Sequence, residues 1–312
     1  MAFSIEELLA ETDSVYDISI AVLLSAYNGE KYIEDQLFSV LDQDASADIT
    51  IFVRDDGSED GTVAVVEKMA ADHGSIKLIK GEHIGRTASY FALLREAQGF
   101  TYYALCDQDD YWLPRKLQDA VTAIEGANET DLRPLLFCSR SALADESLTP
   151  IGVETPKAGK EVSFLQLLAQ DLLPWHNMVM NEAMHSLLLS ESDDVLEEVG
   201  DPSAWLAALA AVKGRIIFSN RLHTFCRQEK SGMQAMLFSV ELSGRKERLE
   251  VLHYFCDVHA DDIDEKTLKE AQAFFNAKSF GERLAFIRNT KIKAVTKADT
   301  RRFKLHYLFR GI

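Results

Sequence analysis

Three carboxylates in four residues, Asp107-Gln108-Asp109-Asp110, followed by Tyr111-Trp112, close the apolar run Thr101-Tyr102-Tyr103-Ala104-Leu105-Cys106. A short apolar run of that kind reads as a buried strand. Carboxylates so crowded repel one another unless a cation sits among them. Oxygen ligands at this spacing suit Mg2+ or Mn2+, which use one or two protein carboxylates and take their remaining ligands from phosphates and water. The chemistry such a cluster could support is a metal–diphosphate site at the edge of a sheet. Taken alone, it could equally be a solvated acidic turn.

The elements around it decide between those readings. Strand signals at residues 18–24, 49–53, 76–79, 101–106 and 135–138 alternate with helical spacing at 32–41, 62–72, 87–98 and 114–124. Alternation of this kind predicts an α/β fold: a mostly parallel sheet with helices on both faces. Ligands of such sheets lie beyond the carboxyl ends of the strands. That rule selects three loops on one rim: Ser25-Ala26-Tyr27-Asn28-Gly29, Arg54-Asp55-Asp56-Gly57-Ser58, and Asp107 to Trp112. After Pro150 the pattern loosens. Helices are expected at 164–173 and 204–212, the latter ended by Gly214, with Pro174-Trp175-His176-Asn177 between them. Charged amphipathic helices follow beyond Glu241. The expected organisation is a lead-in helix at 1–17, a main domain at 18–230 with halves 18–140 and 141–230, and a helical region at 231–312.

The rim loops could hold a pyrimidine nucleotide. Tyr27 offers an aromatic face to a base, and the backbone of Ser25 to Tyr27 can pair with its edge. Asp56 can accept from a pyrimidine N3–H. Gly29 and Gly57 permit tight turns and close backbone approach. Asp109 would ligate the metal, with Asp107 reaching the metal or the ribose. Each loop alone is weak evidence, since Asp55-Asp56-Gly57-Ser58 could be no more than a turn with a helix cap at Ser58 or Asp60.

Composition bounds the rest. The chain has 312 residues, 47% hydrophobic and 27% charged, as in ordinary globular proteins. The net charge of −17 argues against nucleic acid as a partner. Cys106, Cys138, Cys226 and Cys256 lack paired metal-ligand spacing and read as reduced thiols of a cytoplasmic protein. No stretch reaches the roughly 20 apolar residues of a membrane span, and the first residues lack the basic start of a signal peptide.

The residues 22–28, Val53-Arg54-Asp55-Asp56-Gly57-Ser58-Glu59-Asp60-Gly61-Thr62 and Asp107-Gln108-Asp109-Asp110-Tyr111-Trp112-Leu113-Pro114-Arg115-Lys116-Leu117 resemble the signature of family 2 glycosyltransferases with the GT-A (Rossmann-like) fold. With Ser89-Tyr90-Phe91-Ala92-Leu93-Leu94 upstream, the form is most similar to the rhamnosyltransferase-like branch. The resemblance is specific over 18–120, patchy to about 230 and absent beyond. It implies a dTDP- or UDP-sugar donor, a Mn2+ or Mg2+ ion at Asp107 and Asp109, and inversion at the anomeric carbon. It places the nucleotide-sugar against Ser25, Ala26, Tyr27, Asn28, Asp55, Asp56, Asp107 and Gln108, with Arg86 and Arg227 as phosphate candidates. Trp175, His176 and Asn177 fall where the family positions acceptor-side groups. A buried Trp with a satisfied His is the alternative there.

The chain departs from the family at two places. A His-Asp pair that usually precedes a Trp-Leu helix, its Asp serving as base, would register on Pro202-Ser203, so that Asp201 lies one residue early. Asp201 is the expected catalytic base, with a helix N-cap as its competing role; Asp171 and Glu182 are weaker substitutes. Further on, Cys226-Arg227-Gln228-Glu229 stands where the branch commonly shows Tyr-Arg-Gln-His. Glu229 brings negative charge to the position of a neutral ligand.

Between Arg288 and Ile312, eight Lys or Arg face the single acid Asp299, interleaved with Phe303, Leu305, Tyr307, Leu308 and Phe309. Basic residues beside aromatics suit an anionic membrane surface. The competing expectation is packing on the acidic body of the same chain or of a second copy in a homo-oligomer. The expected function is transfer of a sugar, rhamnose among the candidates, to a glycan or lipid-linked acceptor in surface polysaccharide synthesis. The alternative is a degenerate relative that binds nucleotide or a partner without transfer. A nucleotidyltransferase fits less well, because 25–31 lacks the Gly-rich, basic loop a triphosphate needs.

Overall fold

The computed structural model describes residues 17–127, 133–153, 155, 157–159, 162–228, 241–294 and 296–310. Residues 1–16 of the expected lead-in helix, and Glu229, lie outside the described residues.

The first part of the chain alternates as expected: β1 (Ser19–Ala26), α1 (Ile33–Leu41), β2 (Asp48–Asp55), α2 (Thr62–Asp72), β3 (Ile76–Lys80), α3 (Arg86–Glu96) and β4 (Tyr102–Asp107). A two-residue β5 (Tyr111–Trp112) and α4 (Lys116–Ala127) lead to β6 (Leu135–Ala144), β7 (Pro150–Val153) and α5 (Phe164–Ala169). A 3-10 turn at Trp175–Asn177 precedes β8 (Val179–Asn181), α6 (Glu182–Leu189), α7 (Asp193–Glu197), α8 (Pro202–Lys213) and β9 (Arg215–Arg227). Four helices complete the described chain: α9 (Glu241–Val258), α10 (Glu265–Asn276), α11 (Phe280–Asn289) and α12 (Lys297–Arg310).

The strands form one sheet in the order β3-β2-β1-β4-β8-β6-β9-β5, with β7 paired to β6. The β3-β2-β1-β4 half is parallel, as the βαβ alternation requires. The other half is mixed. β8 runs antiparallel to both β4 and β6, β5 and β7 are antiparallel additions, and β6 pairs parallel with β9. The sheet is thus an α/β sheet that is parallel where the rim loops arise and mixed beyond.

Alternation along β1 divides the core. Ile20, Val22 and Leu24 point to one face, packed with Ile33 and Leu37 of α1, Val66 of α2 and Leu117 of α4. Ala21 and Leu23 point to the other, with Tyr90 and Leu94 of α3 and Trp205 and Leu209 of α8. Both faces are covered, which is why β1 reads as a continuous apolar run. The second cluster continues into the C-terminal helices. Phe255 of α9 lies 5.0 Å from Trp205 and 5.8 Å from Phe164, and buried Tyr307 of α12 stacks on Phe274 of α10 at 4.7 Å.

Two expectations shift. The helix expected at 164–173 stops at Ala169, short of Pro174, which disfavours helical conformation in the residue before it. The 13-residue β9 carried no clear strand signal, because Ser219-Asn220-Arg221 interrupts its apolar pattern. The pairing with β6 shifts register on either side of Arg140, opposite that interruption.

Gly214 ends α8 where the chain turns into β9. A Cβ there would lie 2.3 Å from the Pro134 carbonyl oxygen, which also accepts from the Arg215 N–H at 3.0 Å. Gly214→Ala is expected to destabilise the protein by about 1–3 kcal/mol, the usual cost of overpacking. A lowered urea midpoint at unchanged m-value is the readout; an unmoved midpoint refutes the assigned clash.

Candidate functional site

The ends of β1, β2, β3 and β4 and the 3-10 turn meet on one rim. Gln108 pairs both ways with the backbone of Tyr27: the Tyr27 N–H donates to Gln108 Oε1 at 2.9 Å, and Gln108 Nε2 donates to the Tyr27 carbonyl at 3.0 Å. Gly29 makes room for this lock, since a Cβ there would sit 2.3 Å from Gln108 Oε1. Asn28, at φ 50°, ties the β1 loop to the β2 loop; its N–H donates to Ser58 Oγ and its Oδ1 accepts from the Glu59 N–H, both at 2.9 Å. The Ala26 carbonyl accepts from the Asp56 N–H at 2.7 Å, and Ser25 Oγ donates to Ser89 Oγ at 2.7 Å. Asp55 folds its own turn, Oδ2 accepting from the N–H groups of Gly57 and Ser58.

Asp56 is buried and surrounded by donors. Oδ1 accepts from Arg54 and from the Ile84 N–H at 3.0 Å; Oδ2 accepts from the Gly85 N–H at 2.9 Å and lies 3.0 Å from His83 Nδ1. Burial alone would raise its proton affinity. The Ile84 N–H, the Arg54 guanidinium and the Gly85 N–H outweigh that and hold the carboxyl below the usual carboxylate range. The His83 ring lies 4.3 Å from the ring of Tyr27, which is 41% exposed. In this structure His83 therefore occupies both features expected to meet a base, the Tyr27 face and the Asp56 carboxylate.

Asp107 and Asp109 differ sharply. Arg86 Nη2 sits 2.8 and 2.7 Å from the two oxygens of Asp107, Tyr90 OH donates to Oδ1 at 2.7 Å, and His176 Nδ1 is 3.5 Å from Oδ2. Burial works against the charged form, but Arg86, His176 and Tyr90 hold the Asp107 carboxyl well below the usual range. Asp109 is pushed the other way, by burial and then by the charge of Asp107. A carboxylate with raised proton affinity beside an ionised one is a donor pair that a divalent cation would relieve. The oxygen-only chemistry of Asp107 and Asp109 fits Mg2+ or Mn2+.

The acceptor-side residues are buried. Trp175 packs on Tyr90 at 4.8 Å and is 4% exposed, so it presents no open face to a sugar. Asn177 Oδ1 accepts from Thr224 Oγ1 at 2.6 Å and from Lys116 Nζ at 3.1 Å, and its Nδ2 donates to the Ser139 carbonyl at 3.2 Å. His176 points to the rim, 3.5 Å from both Asp107 and Asp110. Asp201 is the N-cap of α8, Oδ1 accepting from the Ser203 and Ala204 N–H groups at 3.0 and 3.1 Å. The preceding Gly200 carbonyl accepts from Thr87 Oγ1 at 3.3 Å, which brings this cap beside Arg86 at the start of α3. Arg227 is turned away from the rim. It pairs with Asp35 at 3.2 Å, donates to the Glu146 carbonyl and lies over the Tyr32 ring at 4.3 Å. Glu182 starts α6 beside Thr101, at the opposite end of β4 from Asp107.

His83 was not expected at the rim, and Arg54, Tyr90 and Lys116, although they lie in the rim loop or the quoted motifs, were given no role there. Lys116 is fully buried, donating to the His176 carbonyl at 2.6 Å, Asn177 Oδ1 and Thr224 Oγ1, with its ammonium 4.0 Å over the Trp112 ring. A lysine between Pro114 and the apolar run of α4 was its one available signal.

Parallel strands in the first half, helices on both faces and acidic loops beyond the strand ends define an α/β domain of the GT-A fold. Residues 21–132 match the family described as Glycosyl transferase family 2, and in sequence this part of the chain is similar to rhamnosyltransferase-like proteins. The chain is 31% identical over 106 residues to the dTDP-rhamnosyl transferase RfbG of Shigella flexneri, covering 32% of this chain and 36% of that protein. It is 22% identical over 278 residues to the hyaluronan synthase of Pasteurella multocida, covering 88% of this chain and 27% of that protein. These matches span less than half the length of the curated relatives. Among solved structures, S. aureus TarS 1-349 in complex with UDP has a TM-score of 0.59 at 18% identity, covering 88% of this chain and 76% of that chain. The mannosyltransferase PcManGT from Pyrobaculum calidifontis, in complex with GDP-Man and Mn2+, has a TM-score of 0.51 at 16% identity, covering 96% and 90%.

Removing the charge of Asp56 leaves Arg54 buried and unpaired. Asp56→Asn is expected to cost about 3 kcal/mol at neutral pH. Because the folded-state affinity of Asp56 for a proton is depressed, its stabilisation is present above the ordinary carboxylate pKa and is lost as pH falls through the folded value. Urea unfolding of both proteins at a series of pH values should show the gap closing below about pH 4; a gap that widens there is incompatible with this ion pair.

Proposed function

We propose that the protein is a metal-dependent, inverting glycosyltransferase that moves a sugar from a dTDP- or UDP-sugar to a glycan or lipid-linked acceptor in surface polysaccharide synthesis. Rhamnose is the favoured sugar, on the similarity to the Shigella protein named a dTDP-rhamnosyl transferase. The observation that carries the reading is the Asp107-Gln108-Asp109 turn at the end of β4, where Arg86 and Tyr90 close on the Asp107 carboxylate and Asp109 stands beside it. Solved neighbours in complex with UDP, and with GDP-Man and Mn2+, support it at the level of fold.

In this reading Asp107 and Asp109 hold a divalent ion, which supplies charge neutralisation to the departing nucleoside diphosphate. Arg86 can exchange Asp107 for a phosphate, a geometry guanidinium groups favour. The base enters against Tyr27 and Asp56 as His83 leaves them. Asp201 takes the proton of the acceptor hydroxyl as that oxygen attacks the anomeric carbon and the C1–O bond to the diphosphate breaks. Among the described residues no helix is long and apolar enough to cross a membrane. Leu305 and Phe309 are exposed on α12 among Arg301, Arg302 and Lys304, which supports peripheral contact with an anionic membrane.

A second reading, nucleotide binding without transfer, is favoured by the capping role of Asp201 and by the engagement of Arg227 away from the rim. Three variants separate the two. Asp109→Ala should abolish the gain in UDP or dTDP affinity that Mn2+ gives the wild type in calorimetry. Asp201→Asn keeps a good N-cap, so it should bind donor normally while losing at least about 100-fold in turnover, the usual share of a general base. Unchanged turnover removes Asp201 from the chemistry, and a wild type that binds donor yet never consumes it with any acceptor supports binding alone. His83→Ala should tighten nucleotide binding by about 1 kcal/mol, the net worth of one hydrogen bond no longer displaced; weaker binding would make His83 a base contact instead.

A further inference from the structure

Behind the rim, three side chains from three separate elements converge. Asp110 follows the metal-facing turn, His176 lies in the 3-10 turn, and Cys226 stands near the end of β9. One ligand atom from each, a carboxylate oxygen, an imidazole nitrogen and the sulfur, lies within 4.8 Å of the others. His176 Nδ1 is 3.5 Å from Asp110 Oδ2. Around an ion with nitrogen and oxygen ligands at roughly 2.0 to 2.1 Å, a tetrahedral edge is about 3.3 Å, and with sulfur at about 2.3 Å it is about 3.6 Å, so His176 and Asp110 need only a small shift and the Cys226 sulfur at most roughly 1 Å to share one ion.

The fold builds this arrangement deliberately enough to hold an ion. Period-two alternation on β9 sends Thr224 and Cys226 to one face, while His223 and Arg227 on the other meet Asp119 and Asp35. Thr224 Oγ1 donates to Asn177 Oδ1 at 2.6 Å, fastening the 3-10 turn to β9. Lys116 grips the His176 carbonyl from below at 2.6 Å. Gln228 Nε2 donates to Cys226 Sγ at 3.4 Å. Asp107 Oδ2, 3.5 Å from the same His176 Nδ1, stands on the open side.

We propose that Asp110, His176 and Cys226 form a second cation site, for a borderline-soft divalent ion of the Zn2+ class, with a fourth position facing Asp107. The donor set decides the ion. Sulfur, nitrogen and a single carboxylate suit Zn2+ and exclude Mg2+, which demands oxygen ligands. Charge agrees: Asp107, Asp109 and Asp110 outnumber Arg86 and Lys116 here, and a divalent ion with a thiolate adds one net positive charge. On binding, the Cys226 sulfur gives up its proton to solvent and bonds to the ion, with no change of oxidation state. This site is distinct in chemistry from the oxygen-only pair at the rim.

Cobalt(II) serves as the probe, because thiolate ligation gives it a near-ultraviolet charge-transfer band that oxygen and nitrogen ligands do not. Full-length protein freed of metal by chelation is titrated with Co2+ in the absence of nucleotide, so that the result is independent of the donor reading. The expected result is a band that saturates at one equivalent, disappears on adding one equivalent of Zn2+, survives in Asp109→Ala and is absent in Cys226→Ser. Loss of Zn2+ affinity in Cys226→Ser should exceed the roughly 10–100-fold that an outer hydrogen-bonding partner costs. The thermal midpoint of the wild type should rise with Zn2+ by more than that of Cys226→Ser, a readout available even if the variant folds poorly. No charge-transfer band, or one untouched by Cys226→Ser, overturns the proposal and leaves His176 as a hydrogen-bonded bridge between two carboxylates.

Discussion

Like charges crowded at the end of one central strand are the constraint around which this molecule is arranged. β4 delivers Asp107, Asp109 and Asp110 within a single turn, and water cannot reach all of them. The protein answers with partners of unequal kinds: the Arg86 guanidinium from the preceding helix α3, the His176 imidazole from the 3-10 turn, and the Lys116 ammonium from beneath. Burial depresses the Lys116 pKa to about 8, and the nearby Cys106, Asp110, Cys138 and Asp107 work against that depression. The compensation is incomplete at Asp109. Incomplete compensation is what a structural ion-pair network avoids and what a cation-binding site requires.

The rim is also over-determined by hydrogen bonds that have no direct share in chemistry. Gln108 mimics a strand partner for Tyr27, Asn28 bridges two loops, and Asp55 spends one oxygen on its own turn. Such bonds are individually worth about 1 kcal/mol. Together they hold three loops in one relation, so that the Tyr27 ring, the Asp56 carboxylate and the paired acids keep their spacing.

The first half, residues 18–140, was legible because its signals are local. Apolar runs near five residues long, helical spacing and acidic or glycine-rich breaks each reside within a short window, and the strand-end rule then gathered Tyr27, Asp56 and Asp109 on one rim. The second half, residues 141–230, was not legible in the same way. Trp175, His176 and Asn177 were expected as acceptor-side groups, with a buried Trp beside a satisfied His as the alternative, and long-range contacts with Tyr90, Lys116 and Thr224 bury them. Arg227 looked like a phosphate ligand by position in a motif; strand alternation on β9 sends it to the α1 side. No window of sequence reports β8, whose three residues reverse direction between two distant strands. The partners of Arg54, and His83 altogether, were missed for the same reason, since these contacts are defined only once β2 and β3 lie side by side.

The two faces of the sheet differ in how soon they can close. The face that packs α1, α2 and α4 draws its buried residues from the chain up to Phe137, with Val179 as a late addition. The opposite face needs Phe255, Phe274, Phe303 and Tyr307 from the last helices. On a ribosome, where the amino end emerges first, one side of β1 can therefore be sealed while the other still waits for the final turns of polypeptide. Through that interval Leu23, Leu105 and Trp205 remain open to whatever holds nascent chains apart.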